Sequence, residues 1–300
     1  MMAVVGVFAN TLGDNNAAVY FAGFLETKTE FHIISIAEDL PKYLHLANQS
    51  RASRIESILN EAGQSAINAI IDRLKEKNFS SIKTQLIPGH FPTNLIEWSE
   101  KHKTDLIIKE PIPVAESTDN PVKGEIKFSR SCKVPLLIAN QSSIGKKDIL
   151  VGVAPDSEDK QGTAPWFNLV DKAASWAAHL GGDLHIVYAW QVWAENLLRS
   201  KMQSDQVQEM LNTQKESAQG KLNVIEKYAE KFKNITTTTH LVKGDPTRGL
   251  EKVAKSIGPG LIVLGDVART GLQGYLLGNT AEAFIRSKQF SILIEPFNDQ

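Results

Sequence analysis

Cysteine is nearly absent. Cys132 stands alone in 300 residues, which excludes an internal disulfide framework and fits a reducing compartment, where a lone apolar-flanked thiol packs as a core residue. Charge of one sign is missing too: 33 Lys and Arg balance 34 Asp and Glu, for a formal net charge of −1. A general nucleic-acid or membrane-surface binder normally shows a basic excess, so neither is expected. No apolar run approaches the roughly 20 residues that span a bilayer. Residues 1 to 25 carry Asp14 and no basic segment ahead of an apolar stretch, so no targeting peptide is read and the cytoplasm is the expected location. The chain also lacks a Gly-x-x-x-x-Gly-Lys-Ser/Thr phosphate loop, a Gly-x-Gly-x-x-Gly fingerprint and a Gly-x-Ser-x-Gly elbow, and catalysis of those types is not expected. Its seven histidines form no His-x-x-x-His pair and no cluster with cysteine, so spacing indicates neither a metal site nor catalytic residues.

With 42% apolar and 22% charged residues, the chain has the make-up of an ordinary globular protein with room for two domains of about 150 residues. Hydrophobic periodicity gives a first strand at 2–8, a helix at 15–25 and a second strand at 31–36. The spacing of Ile55, Ile58, Leu59, Ala62, Ala66, Ile70 and Leu74 predicts a long amphipathic helix over 51–77. A strand at 82–87 follows, then a turn at Pro88-Gly89, a helix over 92–103 with Pro92 in its first turn, and a strand at 106–108. A polar loop at 111–123 and a short helix precede a strand at 134–139. Alternating strands and helices imply an α/β fold with a parallel sheet.

The polar stretch 140–147 reads as a linker, after which the same order begins again. Val4-Val5-Gly6-Val7-Phe8-Ala9-Asn10 returns as Leu150-Val151-Gly152-Val153-Ala154-Pro155-Asp156, and Phe31-His32-Ile33-Ile34 as Leu184-His185-Ile186-Val187. A long helix over 204–232 follows. Gln85 to Gly89 returns as His240 to Gly244, Leu106-Ile107-Ile108 as Leu261-Ile262-Val263, and Arg130-Ser131 as Arg286-Ser287. The repeat predicts two tandem five-stranded domains, 1–140 and 147–297, packed as an internal pseudo-dimer.

Residues 261 to 281 concentrate the chemistry. A continuous apolar run breaks into four glycines and restarts as a helix at Gly278-Asn279-Thr280-Ala281-Glu282. Glycine at a strand exit lets backbone N–H groups approach a ligand, and the free N–H groups of a helix start favour an anion. A glycine-rich surface loop that merely closes a βα unit has the same local pattern. His32 and His185, at equivalent strand positions, fit satisfied structural histidines. Arg248 and Arg269 are read as solvated, and Trp166, Trp176, Trp190 and Trp193 as packing residues.

At this point the second half resembles the universal stress protein family, and the tandem arrangement with Gly-Asn-Thr-Ala-Glu is similar to its tandem, E-type bacterial members. The family pattern of Gly-x-x-Gly, nine residues, then Gly-Ser or Gly-Thr maps onto Gly265, Ala268, Gly278 and Asn279. Pro155-Asp156 after the first strand and Gly244-Asp245-Pro246 before the third helix support it. The resemblance implies two doubly wound parallel sheets in strand order 3-2-1-4-5, with a ligand at the carboxyl ends of the first and fourth strands. It further implies that Asp156 and Ala189 lie beside adenosine, that Leu264 and Gly265 offer backbone contacts, and that Gly278, Asn279 and Thr280 hold phosphates, with Pro155 and Ala268 also among the binding positions. The ligand implied is ATP or AMP, with no metal beyond nucleotide-associated magnesium. Ala268 in place of glycine and Asn279 in place of a hydroxyl residue depart from the pattern. In the first half Asn10 replaces the aspartate, and Lys109-Glu110-Pro111 stands where Leu264-Gly265-Asp266 stands in the second. Side chains there close the approach that glycine leaves open, so no family-type nucleotide binding is expected in that half.

Four functions follow from this reading: a stress-response module that senses adenine nucleotide, a structural interaction protein with a lapsed site, a weak ATP hydrolase, and a binder of a lipid-like ligand in the altered first half. The protein partner is unspecified, and a monomer with its internal pseudo-dimer and a homodimer are equally compatible with the sequence.

Overall fold

The computed structural model describes residues 3–41, 49–112, 121–155, 165–265 and 278–296. The first repeat runs β1 (Val4–Phe8), α1 (Asn16–Ala22), β2 (Glu30–Glu38), α2 (Gln49–Glu76), β3 (Ile82–Gly89), α3 (Thr93–Lys101), β4 (Leu106–Lys109), α4 (Pro121–Ser131) and β5 (Leu136–Ile138). The second runs β6 (Ile149–Val153), α5 (Pro165–Leu180), β7 (Leu184–Trp190), α6 (Glu195–Lys201), α7 (Ser204–Ala229), β8 (Thr237–Lys243), α8 (Pro246–Ile257), β9 (Leu261–Gly265), α9 (Asn279–Ser287) and β10 (Ile292–Glu295). Two compact units result. One comprises Met1–Ile144 with Asp266–Gln300, the other Gly145–Gly265.

In the first unit the strand order is β3-β2-β1-β4-β5, and each neighbouring pair is parallel. Every residue of β4 and β5 is buried, as expected for strands covered on both faces. Helix α2 buries Ala52, Gly63, Ile67, Ile70 and Leu74 along one stripe. Ile67, Ile70 and Leu74 are fully buried, and each contributes roughly 1.5–3 kcal/mol of transfer free energy. Strand β3 continues through Pro88 and Gly89, paired with Ala37 and Glu38, where the sequence suggests a turn. As the outer strand, β3 tolerates the N–H that proline lacks.

Strand β10 joins this unit antiparallel to β5, with Ile292 opposite Ile138, Leu293 opposite Leu137 and Ile294 opposite Leu136. These are repeat-equivalent strands, so their pairing has local two-fold character centred on Leu137 and Leu293. The stretch after β5 is not a free linker. Gln141–Ser143 forms a 3-10 turn, the Asn140 N–H donates to Ser291 Oγ at 2.8 Å, and the Ser291 N–H donates to Ser143 Oγ at 3.1 Å.

The second unit orders its strands β9-β6-β7-β8, all parallel. This is the arrangement of the first four strands of the first repeat. Helix α7 buries Val207, Leu211, Ala218, Leu222, Ile225 and Ala229 at helical spacing, while Met210 is exposed. Trp166 and Trp176 are buried. Trp193 is not a packing residue, being 84% exposed, because it belongs to the segment around α6, a helix with no buried residue.

Candidate functional site

Register fixes which residues meet at the carboxyl edge of the second unit. Strand β6 pairs with β9 so that Val151 is level with Val263, and with β7 so that Val153 is level with Tyr188. Continuing both ladders sets the exits of β6, β7 and β9 side by side, about 4.8 Å from strand to strand. Pro155, Ala189, Leu264 and Gly265 therefore collect at one edge. Leu264 and Pro155 are buried, whereas Ala189 and Gly265 are half-buried. This is the edge where doubly wound sheets bind ligands, between the first and fourth strands of the repeat.

The adjoining helix is brought close by two glycines. Gly244, at φ 123°, turns the chain out of β8 in a conformation that side chains rarely adopt, and its N–H donates to Trp190 O at 2.8 Å. Asp245 then caps α8, its Oδ1 accepting from the Arg248 N–H at 3.0 Å, with Pro246 in the first turn. Gly249 is buried against the sheet: a Cβ there would lie 3.1 Å from Val242 and 3.7 Å from Ala189. The Arg248 side chain is exposed.

Gly278, Asn279 and Thr280 begin α9, which belongs to the first unit. Gly278 is its N-cap, with φ −61° and ψ 144° and no side-chain cap bond; Asn279 is exposed and Thr280 half-buried. Glu282 in the first turn bonds Arg130 and Arg286, each at 2.6 Å. Asp156, Ala268 and Arg269 lie outside the described residues, as do the glycines at 271 and 274.

The corresponding edge of the first unit is filled by its own side chains. Lys109 is fully buried; its Nζ donates to Glu110 O at 2.6 Å and to Glu125 Oε1 at 3.1 Å. Glu125 Oε1 also accepts the Ile112 N–H at 2.6 Å, while Oε2 is buried without a partner. Burial pushes the Lys109 amine below the usual lysine value against the pull of Glu125. The Glu110 carboxylate accepts the N–H groups of Ala17 and Ala18 at the start of α1, at 2.6 and 3.2 Å, and Gln141 Nε2 at 3.2 Å. Burial raises its pKa, and those N–H groups oppose the rise. Asn10, where the second repeat has Asp156, exchanges hydrogen bonds with Asn15. Lys109, Glu110 and Asn10 are thus space-filling groups. Glu125 and Gln141 complete the network, but their sequence neighbourhoods gave no sign of it.

Among the described residues, no group of three or more His, Cys, Asp or Glu is placed to hold a metal ion. No helix among them is long and apolar enough to cross a membrane.

Residues 147–294 match the model of the universal stress protein family. Over 200 residues the chain is 28% identical to the universal stress protein E homolog of Haemophilus influenzae, covering 65% of this chain and 62% of that one. It is 38% identical to universal stress protein E of Salmonella typhi over 65 residues, 22% of this chain and 21% of the relative. These matches span less than two thirds of either relative's own length. A functionally unknown protein from Pseudomonas aeruginosa shares the fold at a TM-score of 0.65 and 19% identity, over 99% of this chain and 94% of that one. A universal stress protein from Archaeoglobus fulgidus does so at a TM-score of 0.59 and 14% identity, over 98% and 97%.

Proposed function

The chain belongs to the universal stress protein family, and from that premise we propose that it is a cytoplasmic stress-response module whose second repeat binds an adenine nucleotide, ATP or AMP. The observation that carries the reading is the alignment of the β6, β7 and β9 exits. It sets Pro155, the half-buried Ala189 and the Cβ-free Gly265 at one edge of the second unit. An edge of this kind offers backbone groups and a small apolar wall to a flat base, and Gly265 leaves space that a side chain would fill. The nucleotide would supply the signal by its presence or absence. The residues bind it and assign no proton transfer, so regulation rather than hydrolysis is the activity proposed.

The first repeat has a different task in this reading. Its edge is closed by Lys109, Glu110 and Glu125, and it serves as the structural half of the molecule. Calorimetric titration of the full chain with ATP and AMP tests the proposal: saturable heat is expected, with Gly265→Val weakening affinity by about tenfold, or 1.4 kcal/mol. Gly278→Val tests the phosphate-holding role that the family resemblance gives that residue. Absence of heat at millimolar nucleotide overturns nucleotide binding and leaves a structural interaction protein.

A further inference from the structure

His185 on β7 and His240 on β8 meet across the last two strands of the second unit's sheet. Nδ1 of His185 and Nε2 of His240 are 3.1 Å apart, and the rings are tilted by 34°. Two imidazoles at this separation share one hydrogen, one nitrogen donating its N–H and the other accepting with a lone pair. Adding one proton preserves the bond, since an imidazolium donates to a neutral imidazole. Adding a second leaves two donors, no acceptor and two like charges at hydrogen-bond distance.

The surroundings do not balance that second charge. On β6, Leu150 is level with His185; on β8, Thr238 is its register partner, and His240 is level with Val187 of β7. Helix α8 packs over β7 and β8 and buries Gly249, Leu250 and Ala254. Its Arg248, Lys252 and Lys255 are exposed, and Glu251 is ion-paired with Lys255 at 2.6 Å. Asp183, two residues before His185 on the same strand face, is exposed, and its backbone N–H bonds Asp148 Oδ1. Burial, and then the proximity of His185, hold His240 below the usual histidine value.

The first unit solves the same position differently. There His32 Nε2 lies 2.6 Å from Glu30 Oε1, which also accepts from Lys83 at 2.7 Å. At the position of His240 stands Gln85, whose Oε1 accepts the Trp98 indole N–H at 2.9 Å. One repeat carries a histidine held by a carboxylate; the other carries a histidine held by a second histidine.

We propose that the His185–His240 pair is a proton-operated latch on β8, closed while the pair carries at most one proton and opened by the second. Strand β8 is the outer strand of its unit, with β7 as its neighbour, so the cross-strand bond lies where the sheet is least supported. The Ala189 and Val242 rung lies two rungs beyond that of Val187 and His240, on the same face of these strands. Acid opening therefore acts on the wall of the carboxyl edge, whatever that edge binds.

Imidazole NMR of the full chain across pH 4.5 to 8 is the first test. Two coupled steps separated by more than about one pH unit are expected, the lower falling below 6.5. Hydrogen exchange of β8 amides, corrected for intrinsic rates, is the second. Protection relative to β6 should fall on acidification by up to about tenfold for each unit that the lower step lies beneath 6.5. His240→Gln places the side chain of position 85 at the latch and should abolish that loss. Two independent steps at the ordinary histidine value overturn the proposal, as does an undiminished acid loss in His240→Gln. If that variant does not fold, the titration of the unmodified chain decides alone.

Discussion

Lys109 and Glu110 show how single residues separate scaffold from site. Both stand where the second repeat has Leu264 and Gly265, and both are buried, so each side chain fills space that a ligand edge would leave open. A buried ion pair with one unpartnered carboxylate oxygen is weak evidence for stability, since desolvation offsets most of its attraction. Breaking it is another matter. Lys109→Met leaves Glu125 charged, buried and unbalanced, and is expected to cost about 3–5 kcal/mol in urea denaturation. Adding Glu125→Leu should recover most of that loss, and a single-variant cost below about 1 kcal/mol would contradict the assignment. Glu110 makes a separate prediction. Its folded pKa is raised by burial, so the folded state holds the proton more tightly than the unfolded chain does. The resulting stabilisation is full below the unfolded value, near 4.5, and is lost as pH rises through the folded one. Stability of the wild type relative to Glu110→Gln should therefore be greater at pH 4.5 than at pH 7.5 in paired denaturant titrations. The sequence exposed the loss of glycine here, but not the destination of the carboxylate. Glu110 reaches Ala17 and Ala18 across 93 and 92 residues, and local pattern carries no signal at that range.

At the scale of elements, long periodic segments were the most legible. Helix α7 buries a stripe at helical spacing, because a 3.6-residue period survives whatever sheet it packs on, whereas α2 buries only Ile70 and Leu74 of the residues its spacing predicts: Ile55 and Ile58 are exposed, and Ala52, Gly63 and Ile67 are buried instead. Alternation of strand and crossover helix likewise gives a parallel sheet in both repeats, while the order of its strands is what the family resemblance implies. Polar segments were less legible, and 140–147 is the clearest case: its composition reads as linker, yet Asn140, Ser142 and Ser143 bond to 288–291, while 144–147 are exposed. Asn140 Nδ2 donates to Lys288 O at 2.6 Å, Asn140 Oδ1 accepts the Ser142 N–H at 2.9 Å, and Ser142 Oγ donates to Gln289 O at 2.8 Å. Composition reports polarity but not whether water or protein satisfies it. Asn140→Ala strips two of these bonds and is expected to destabilise the first unit by about 1–3 kcal/mol. A change within about 0.5 kcal/mol in denaturant unfolding would return the stretch to the class of solvated linkers. The candidate site divides along the same line. Its strands were legible as apolar runs, and the family resemblance pointed to Pro155, Ala189 and Gly265 at their exits, while the helix approach through Gly249 was not legible, because close packing leaves no periodic trace.

At the scale of the chain, the sequence repeat and the compact units do not share a boundary. The repeat restarts after residue 147, but β10 and α9 of the second copy lie in the unit that contains the first. The reason is the antiparallel pairing of β10 with β5, supported by Arg130 of α4 bonding Glu282 of α9 at 2.6 Å. Because β5 and β10 are equivalent strands, the edge that β5 presents is nearly self-complementary: Leu137 faces Leu293, and in a pair of identical strands it would face itself. A fragment ending at Ile144 keeps β1 to β5 but loses β10, leaving a buried-type strand, Leu136-Leu137-Ile138, with an open ladder. Open apolar edges recruit a partner, and an isologous two-fold contact is the simplest closed solution. The fragment should therefore form a dimer that dissociates only on dilution or when Leu137 is replaced by Lys, a charge that faces itself across the axis. Sedimentation velocity of the fragment over a hundredfold concentration range measures this. A folded monomer throughout would show that β10 is dispensable and that the pairing of equivalent strands does not hold the first unit closed.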